Sequence, residues 1–251
     1  MPSLLWSKTA SSQNADEESD YLIKLTRKIN ANKSFVEFGF HPYQFNSVSL
    51  AKNGYRGLLL DSDEDNCTLA NRIFNKLGFN CTAVKHWIAL DTLQPILGFV
   101  ESLGGELGVL NVDIDGNDYW VLKELTSKLY PQVICVEHNA SFGMRAITTP
   151  YKADFDRHTE HQSGWYHGAS ITAFFSLLSD NYYLVNNIAG LNLVFIRKDK
   201  MIEGLTSLTP NNAYTELKLR NQSSGTTAEE QWRVIKDLNF VQLEQIQANI
   251  Q

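Results

Sequence analysis

Apolar and polar positions alternate along this chain in two different rhythms, and the switches between them lay out its elements. From Asp16 to Ile29, acids come first and Lys/Arg later, with Tyr21, Leu22, Leu25 and Ile29 on one face. That pattern predicts an amphipathic helix whose charges match its dipole. Short apolar runs then alternate with helical patterns. Phe35–Phe38, Gly57–Asp61, Asn80–Val84, Val109–Ile114 and Val133–Glu137 read as strands. Asn46–Asn53, Glu64–Leu77, Thr92–Leu103 and Tyr119–Leu129 read as the helices between them, with Gly78 stopping the second and Pro95 tolerated near the start of the third. Near-continuous apolar strands in a βαβ rhythm imply a parallel sheet covered on both faces. Acids close several strands, at Asp61, Asp113–Asp115 and Glu137, so those ends are expected along one sheet edge.

The rhythm breaks after Glu137. Residues 141–168 are irregular and rich in His, Tyr, Arg and Asp, too long for an ordinary connection and long enough for a binding loop. Ala169–Leu178 resumes a helical pattern. Tyr182–Val185 and Leu191–Ile196 read as two strands joined around Ala189-Gly190, most simply an antiparallel pair. Thr226–Glu229 reads as a capping box before Trp232, Val234, Ile235 and Leu238. The expected organisation is a loose N-terminal tail and helix (1–32), one α/β domain (33–198) and a C-terminal helical tail (199–251). The expected fold is a Rossmann-like, seven-stranded, mostly parallel sheet with an antiparallel C-terminal strand and helices on both faces.

Composition narrows this little. The 251 residues are 43% hydrophobic and 20% charged, with a net charge of −6, which disfavours a general nucleic-acid backbone binder. Three cysteines without a CxxC pair suggest neither a disulfide framework nor a zinc knuckle, and Cys135 falls in an apolar strand as a core thiol. No apolar run is long enough to span a membrane, and the N-terminus lacks a signal-peptide core, so a cytoplasmic setting is the expectation. A homo-oligomer stays open.

The strand ends carry the chemistry. Val36-Glu37-Phe38-Gly39 has one glycine where a pyrophosphate-binding dinucleotide site needs several, and no P-loop occurs anywhere. A ribose-bearing ligand without phosphates needs one close backbone approach and an acid on the second strand. Gly39 and Asp61 supply these, with Ser62 and Asp63 as alternatives to Asp61 if the strand ends later.

Together with Gly57-Leu58-Leu59-Leu60-Asp61 and Leu110-Asn111-Val112-Asp113-Ile114-Asp115-Gly116-Asn117-Asp118-Tyr119-Trp120, these residues resemble class I S-adenosyl-L-methionine (SAM) dependent methyltransferases of the FkbM-like group. The resemblance spans roughly residues 33–198. It implies SAM as cofactor, bound by Glu37, Gly39, Asp61, Ser62, His86 and Asp113. It implies O-methylation of a small-molecule or saccharide hydroxyl, with Asp113, Asp115, His138 or His167 taking the proton. Glu37 has a second role open to it, ordering the Gly39 loop. Phe40-His41-Pro42-Tyr43 departs from the glycine-richer pattern of such enzymes.

Asp113 and Asp115 alternate along the expected strand and so should share a face. With Glu137, His138 and Asn139 they could ligate Mg²⁺ or another divalent cation. Equally, Asp115 or Asn117 could simply cap the next helix. His158, His161 and His167 in the long loop are candidate substrate contacts, and Trp165 and Tyr166 could stack on a ring or form the loop's own small core. Two rivals remain. The Asp-x-Asp pattern also suits a metal-dependent nucleotide-sugar glycosyltransferase, and the glycine-poor first turn suits a non-catalytic binding module.

Overall fold

The computed structural model describes residues 15–243. The chain opens with α1 (Ala15–Lys28), β1 (Ser34–Phe38), α2 (Val48–Lys52), β2 (Arg56–Asp61), α3 (Glu64–Leu77), β3 (Cys81–Lys85), α4 (Gln94–Glu101) and β4 (Val109–Val112). It continues with α5 (Asp118–Thr126), β5 (Val133–Glu137), β6 (Ile147–Thr148), α6 (Arg157–Glu160), α7 (Ile171–Leu178), β7 (Tyr182–Ile188) and β8 (Asn192–Arg197). It ends with α8 (Pro210–Ala213), α9 (Lys218–Ser224), α10 (Ala228–Ile235) and β9 (Val241–Gln242). The loose tail expected before residue 15 lies outside the described residues.

Seven strands form one sheet in the order β3-β2-β1-β4-β5-β8-β7. The ladders β1–β2, β1–β4 and β2–β3 are parallel, whereas β7 and β8 run antiparallel. The expected fold class is therefore the observed one. Sequence dictates position in the sheet. The strands β1, β4 and β5 are buried at every residue, as continuous apolar runs must be when both faces are covered. The edge strand β3 buries only Ala83, and the opposite edge β7 alternates between buried and half-buried positions along much of its length. Cys135 is a buried free thiol in β5, as its apolar surroundings predict.

Residues 15–113 with 128–134 form one compact unit, and 114–127 with 135–243 form a second. These boundaries differ from the sequence expectation of 1–32, 33–198 and 199–251. The polar tail from residue 199 is an integral part of the second unit, because its apolar positions cover the long loop. Phe142, Ile147, Tyr166 and Ile235 form a buried cluster packed by Trp165, Trp232, Leu238 and Phe240. β9 then pairs with β6, Thr148 opposite Val241.

In the first unit, α3 is capped at both ends by local chemistry. Asp63 accepts from the N–H groups of Asp65 and Asn66, and Gly78 adopts φ 68° to close the last turn. The capping box of α10 sits one residue beyond the expected Thr226–Glu229, using Thr227 and Glu230. Both pairs satisfy the same spacing, and the register that turns Gln231 and Ile235 inward selects the second.

No helix among the described residues is long and apolar enough to cross a membrane.

Candidate active site

In the first unit, strand order reverses between β2-β1 and β1-β4, the switch point beside which open α/β sheets bind ligands at the carboxyl ends of their strands. β1 ends at Phe38, and Gly39 turns the chain at φ 67°, a left-handed conformation that favours glycine. The Gly39 N–H donates to Leu60 O, and the next N–H, from Phe40, donates to the Asp61 carboxylate at 3.2 Å. Asp61 also accepts from Asp63 N–H at 2.7 Å. Each Asp61 oxygen thus holds one backbone donor, and the Asn66 side chain stands beside the carboxylate as a third donor, which leaves acceptor capacity over. The carboxyl group is half-buried, and that burial raises its pKa.

Glu37 takes the organising role. Only 2% exposed, it accepts from the N–H groups of Asn46 at 2.7 Å and Ser47 at 2.8 Å, and from Asn111 Nδ2 at 3.4 Å. It therefore fixes the far end of the loop that Gly39 begins. Burial pushes its pKa up to about 7 against the pull of those donors. The ring of Phe40 is buried in this loop and packs edge-on toward Phe45, an apolar filling where glycine-rich turns have bare backbone. His86 donates its backbone N–H to Asp61 O and holds its ring nitrogen on Thr92 O. Ser62 is exposed in the bend after β2.

The second unit begins at the turn after β4. The strand ends at Val112, two residues earlier than expected, so Asp113 and Asp115 do not alternate along a strand and the shared-face argument fails. The cause is Asp118. Fully buried, its Oδ1 accepts from Ile114 N–H and its Oδ2 from Gly116 N–H, both at 2.8 Å. That latch bends the chain and places Asp115 at φ 54°, a strained conformation for a residue with a Cβ. Gly116 completes the turn, since a Cβ there would lie 2.3 Å from the Phe155 ring. Asn117 stands at the N-cap position of α5, but its side chain makes no capping hydrogen bond. Asn117 instead reaches across to the backbone of Lys152.

The long loop folds back onto this turn. Gly168 N–H donates to Gly116 O, and Thr149 N–H to Gly168 O. Asn139 Nδ2 donates to Trp165 O and His167 O, while its Oδ1 accepts from Ser141 N–H and Arg220 Nη1. Asn139 thus braces the loop with both ends of its amide. The outcome is a cluster in which ligand atoms of Asp115, Glu137 and His167 lie within 4.8 Å of one another. Asp113, His138 and Asn139 stand outside it.

Two guanidinium groups enter the cluster. Arg157 donates from Nη1 to Asp115 Oδ1 and from Nε to Gly164 O. Arg220, delivered by α9, places Nη2 3.3 Å from His167 Nε2 and 4.0 Å from Glu137 Oε1. Burial pushes the Glu137 pKa up to about 8, with the Asp115 charge adding to the effect. Burial and the nearby Arg157 and Arg220 hold His167 well below its ordinary range, so its imidazole is neutral. His138 is also buried and neutral, its pKa lowered to about 3 by burial. Neither of its ring nitrogens has a hydrogen-bond partner among the described residues; Asn187 lies beside it outside bonding geometry.

Of the loop histidines, only His167 joins the cluster. His161 turns its Nδ1 to Ser163 Oγ, and His158 lies against Gly164. Trp165 and Tyr166 belong to the loop's own small core with Trp232 and Phe240. Sequence reasoning did not single out Asp118 or Arg220. The first carried a signal, an acid at the first position of a helix; the second, in a polar tail, carried none.

No family model matches the sequence, and no curated protein does. Among solved structures the chain is similar to monomeric WbdD, at 12% identity and TM-score 0.47 over 76% of this chain and 42% of that one. It is similar to the N-terminal domain of EvdMO1 with SAH bound, at 13% and 0.46 over 72% and 80%. It is also similar to an O-methyltransferase from Bacillus cereus in complex with SAH, at 15% and 0.46 over 72% and 81%. The chain spans less than half the length of WbdD. At these identities and scores the likeness decides nothing about chemistry, which has to come from this chain's own residues.

Proposed function

We propose that this chain is a SAM-dependent methyltransferase, similar to the FkbM-like group, that O-methylates a hydroxyl on a small molecule or saccharide. One observation carries it: at the switch in strand order, a left-handed glycine and a half-buried acid are tied together by the Phe40–Asp61 hydrogen bond. A ribose needs an acceptor with unfilled lone pairs, and Asp61 has them. An adenosyl group needs close approach to backbone, and Gly39 permits it. These residues fit SAM, which when bound supplies a methyl group already activated on sulfonium. Glu37 keeps the loop shaped around the cofactor, and Asp113 and His86 are further contacts we assign to it.

The second unit we assign to the acceptor. Asp115, half-exposed, is the group that would meet the hydroxyl and take its proton, with the neutral His167 imidazole behind it as a further acceptor. Burial raises the Glu137 pKa to about 8, so this carboxyl holds its own proton near neutral pH and packs behind Asp115 uncharged.

A divalent cation fits this cluster poorly. Arg157 already neutralises Asp115, and Arg220 stands over His167 and Glu137. We therefore infer methyl transfer without a metal.

The test is SAH formation from SAM over a panel of phenolic and sugar hydroxyls, with and without EDTA. At least one acceptor is expected to raise SAH above the acceptor-free control, unchanged by EDTA. No increase with any acceptor contradicts methyl transfer, and loss in EDTA contradicts the metal-free cluster.

A further inference from the structure

The least balanced group in the second unit is Arg220. Its side chain is 11% exposed, yet the partners within hydrogen-bonding distance are neutral: Asn139 Oδ1 at 2.9 Å, Ser141 Oγ at 3.3 Å and the His167 imidazole at 3.3 Å. Burying a guanidinium is costly without an anion to compensate it. Its carboxylate neighbour Glu137 lies at 4.0 Å, beyond hydrogen-bonding distance, and burial raises the pKa of that carboxyl. Arg157 is 21% exposed and is close enough to Arg220 to depress its basicity. Asp115, half-exposed, pairs directly with Arg157. Among the described residues, Arg157 Nη2 and Arg220 Nε carry no hydrogen bond.

We propose that the acceptor is a hydroxy acid whose carboxylate is received by Arg220 and Arg157. This rests on the assignment of the Asp115–Glu137–His167 cluster to the acceptor. Arg157 has Asp115 within hydrogen-bonding distance, whereas the Arg220–Glu137 contact stands at 4.0 Å, so a bound carboxylate gives Arg220 a direct anionic partner. A phosphate dianion would bring more negative charge against Asp115. Guanidinium forks match the flat carboxylate, and each charge-assisted bond is worth about tenfold or more in affinity. The carboxylate also orients the molecule, so that its hydroxyl, and not another, is offered to Asp115. Arg220 is thus a specificity residue contributed by the C-terminal segment.

The experiment is calorimetric titration of the full chain, saturated with SAH, using matched pairs: D-glucuronate against D-glucose, and 4-hydroxybenzoate against 4-hydroxybenzyl alcohol. At least one acid is expected to bind about tenfold or more tightly than its neutral partner, and the pair that responds tells a sugar acid from an aromatic one. Arg220→Gln should erase the preference while SAH affinity stays within about twofold. Arg157→Gln, in a more exposed position, should weaken it and serves if the first variant does not fold. Neutral partners binding as well as both acids, or neither acid binding to SAH-loaded protein, overturns the proposal, as does tighter binding of inorganic phosphate. If the acids bind but SAH does not, the methyltransferase assignment fails and the anion pocket stands.

Discussion

Replacing Asp118 with alanine is expected to lower the melting temperature by roughly 5–15 °C. The carboxylate is fully buried and is the acceptor for Ile114 N–H and Gly116 N–H. Truncation leaves two backbone donors unpaired, each at about 1–3 kcal/mol, and a chain of this size loses about 2–4 °C per kcal/mol. The consequence reaches the site, because this latch is what holds Asp115 at positive φ. Asp118→Asn keeps one acceptor oxygen and presents an amide NH₂ to the other donor, so it should recover only part of the loss. Scanning calorimetry on both variants checks this; a change under about 2 °C for the alanine variant would show that the turn holds without its latch.

Stability should also fall as pH rises from about 6.5 to 8.5. Burial raises Glu37 to about 7 and Glu137 to about 8, both from 4.5. A raised folded-state pKa means the native protein holds protons that the unfolded chain has released. Its contribution is complete below the unfolded value and is lost as pH climbs through the folded one. Asp118, raised to about 6, has lost most of its contribution before this window opens. The buried imidazoles of His138 and His167 are depressed instead. They oppose the trend below their ordinary value of 6.5, where the unfolded chain takes up protons the native one refuses. Above pH 6.5 that opposition is gone, and stability is expected to decline as Glu37 and Glu137 ionise. Urea midpoints at pH 6.5 and 8.5 measure the decline, and Glu137→Gln, which mimics the protonated acid, should shrink it. A midpoint that holds or rises over that interval would contradict the assignment of buried, neutral carboxyls.

Much of this fold was readable from hydrophobic pattern, for a physical reason. Strands such as Val133–Glu137 are buried on both faces, so their apolar runs are unbroken. The antiparallel pair was legible because Ala189 and Gly190, both at positive φ, mark the turn between two apolar runs. Pattern fails where long-range hydrogen bonds set the geometry. The end of β4 at Val112 depends on a carboxylate six residues on, and no apolar periodicity encodes that. The two-residue strands β6 and β9 are too short to carry a period and exist because the aromatic cluster around Phe142 brings them together. On the site, residue type pointed to Asp115, Glu137 and His167 but spread the group over Asp113, His138 and Asn139 as well. Adjacent residues of a strand end cannot be told apart by composition. Arg220, some eighty residues from Asn139 in sequence, enters only through folding of the tail.

The central claim is that the ends of β1 and β2 hold an adenosyl cofactor. Calorimetric titration of the full chain with SAH, alongside Asp61→Ala, tests it most directly. The geometry predicts saturable binding in the micromolar range for the wild type, weakened about tenfold or more in the variant as the ribose loses a charged acceptor. Absence of heat in the wild type, or equal affinity in both proteins, would contradict it.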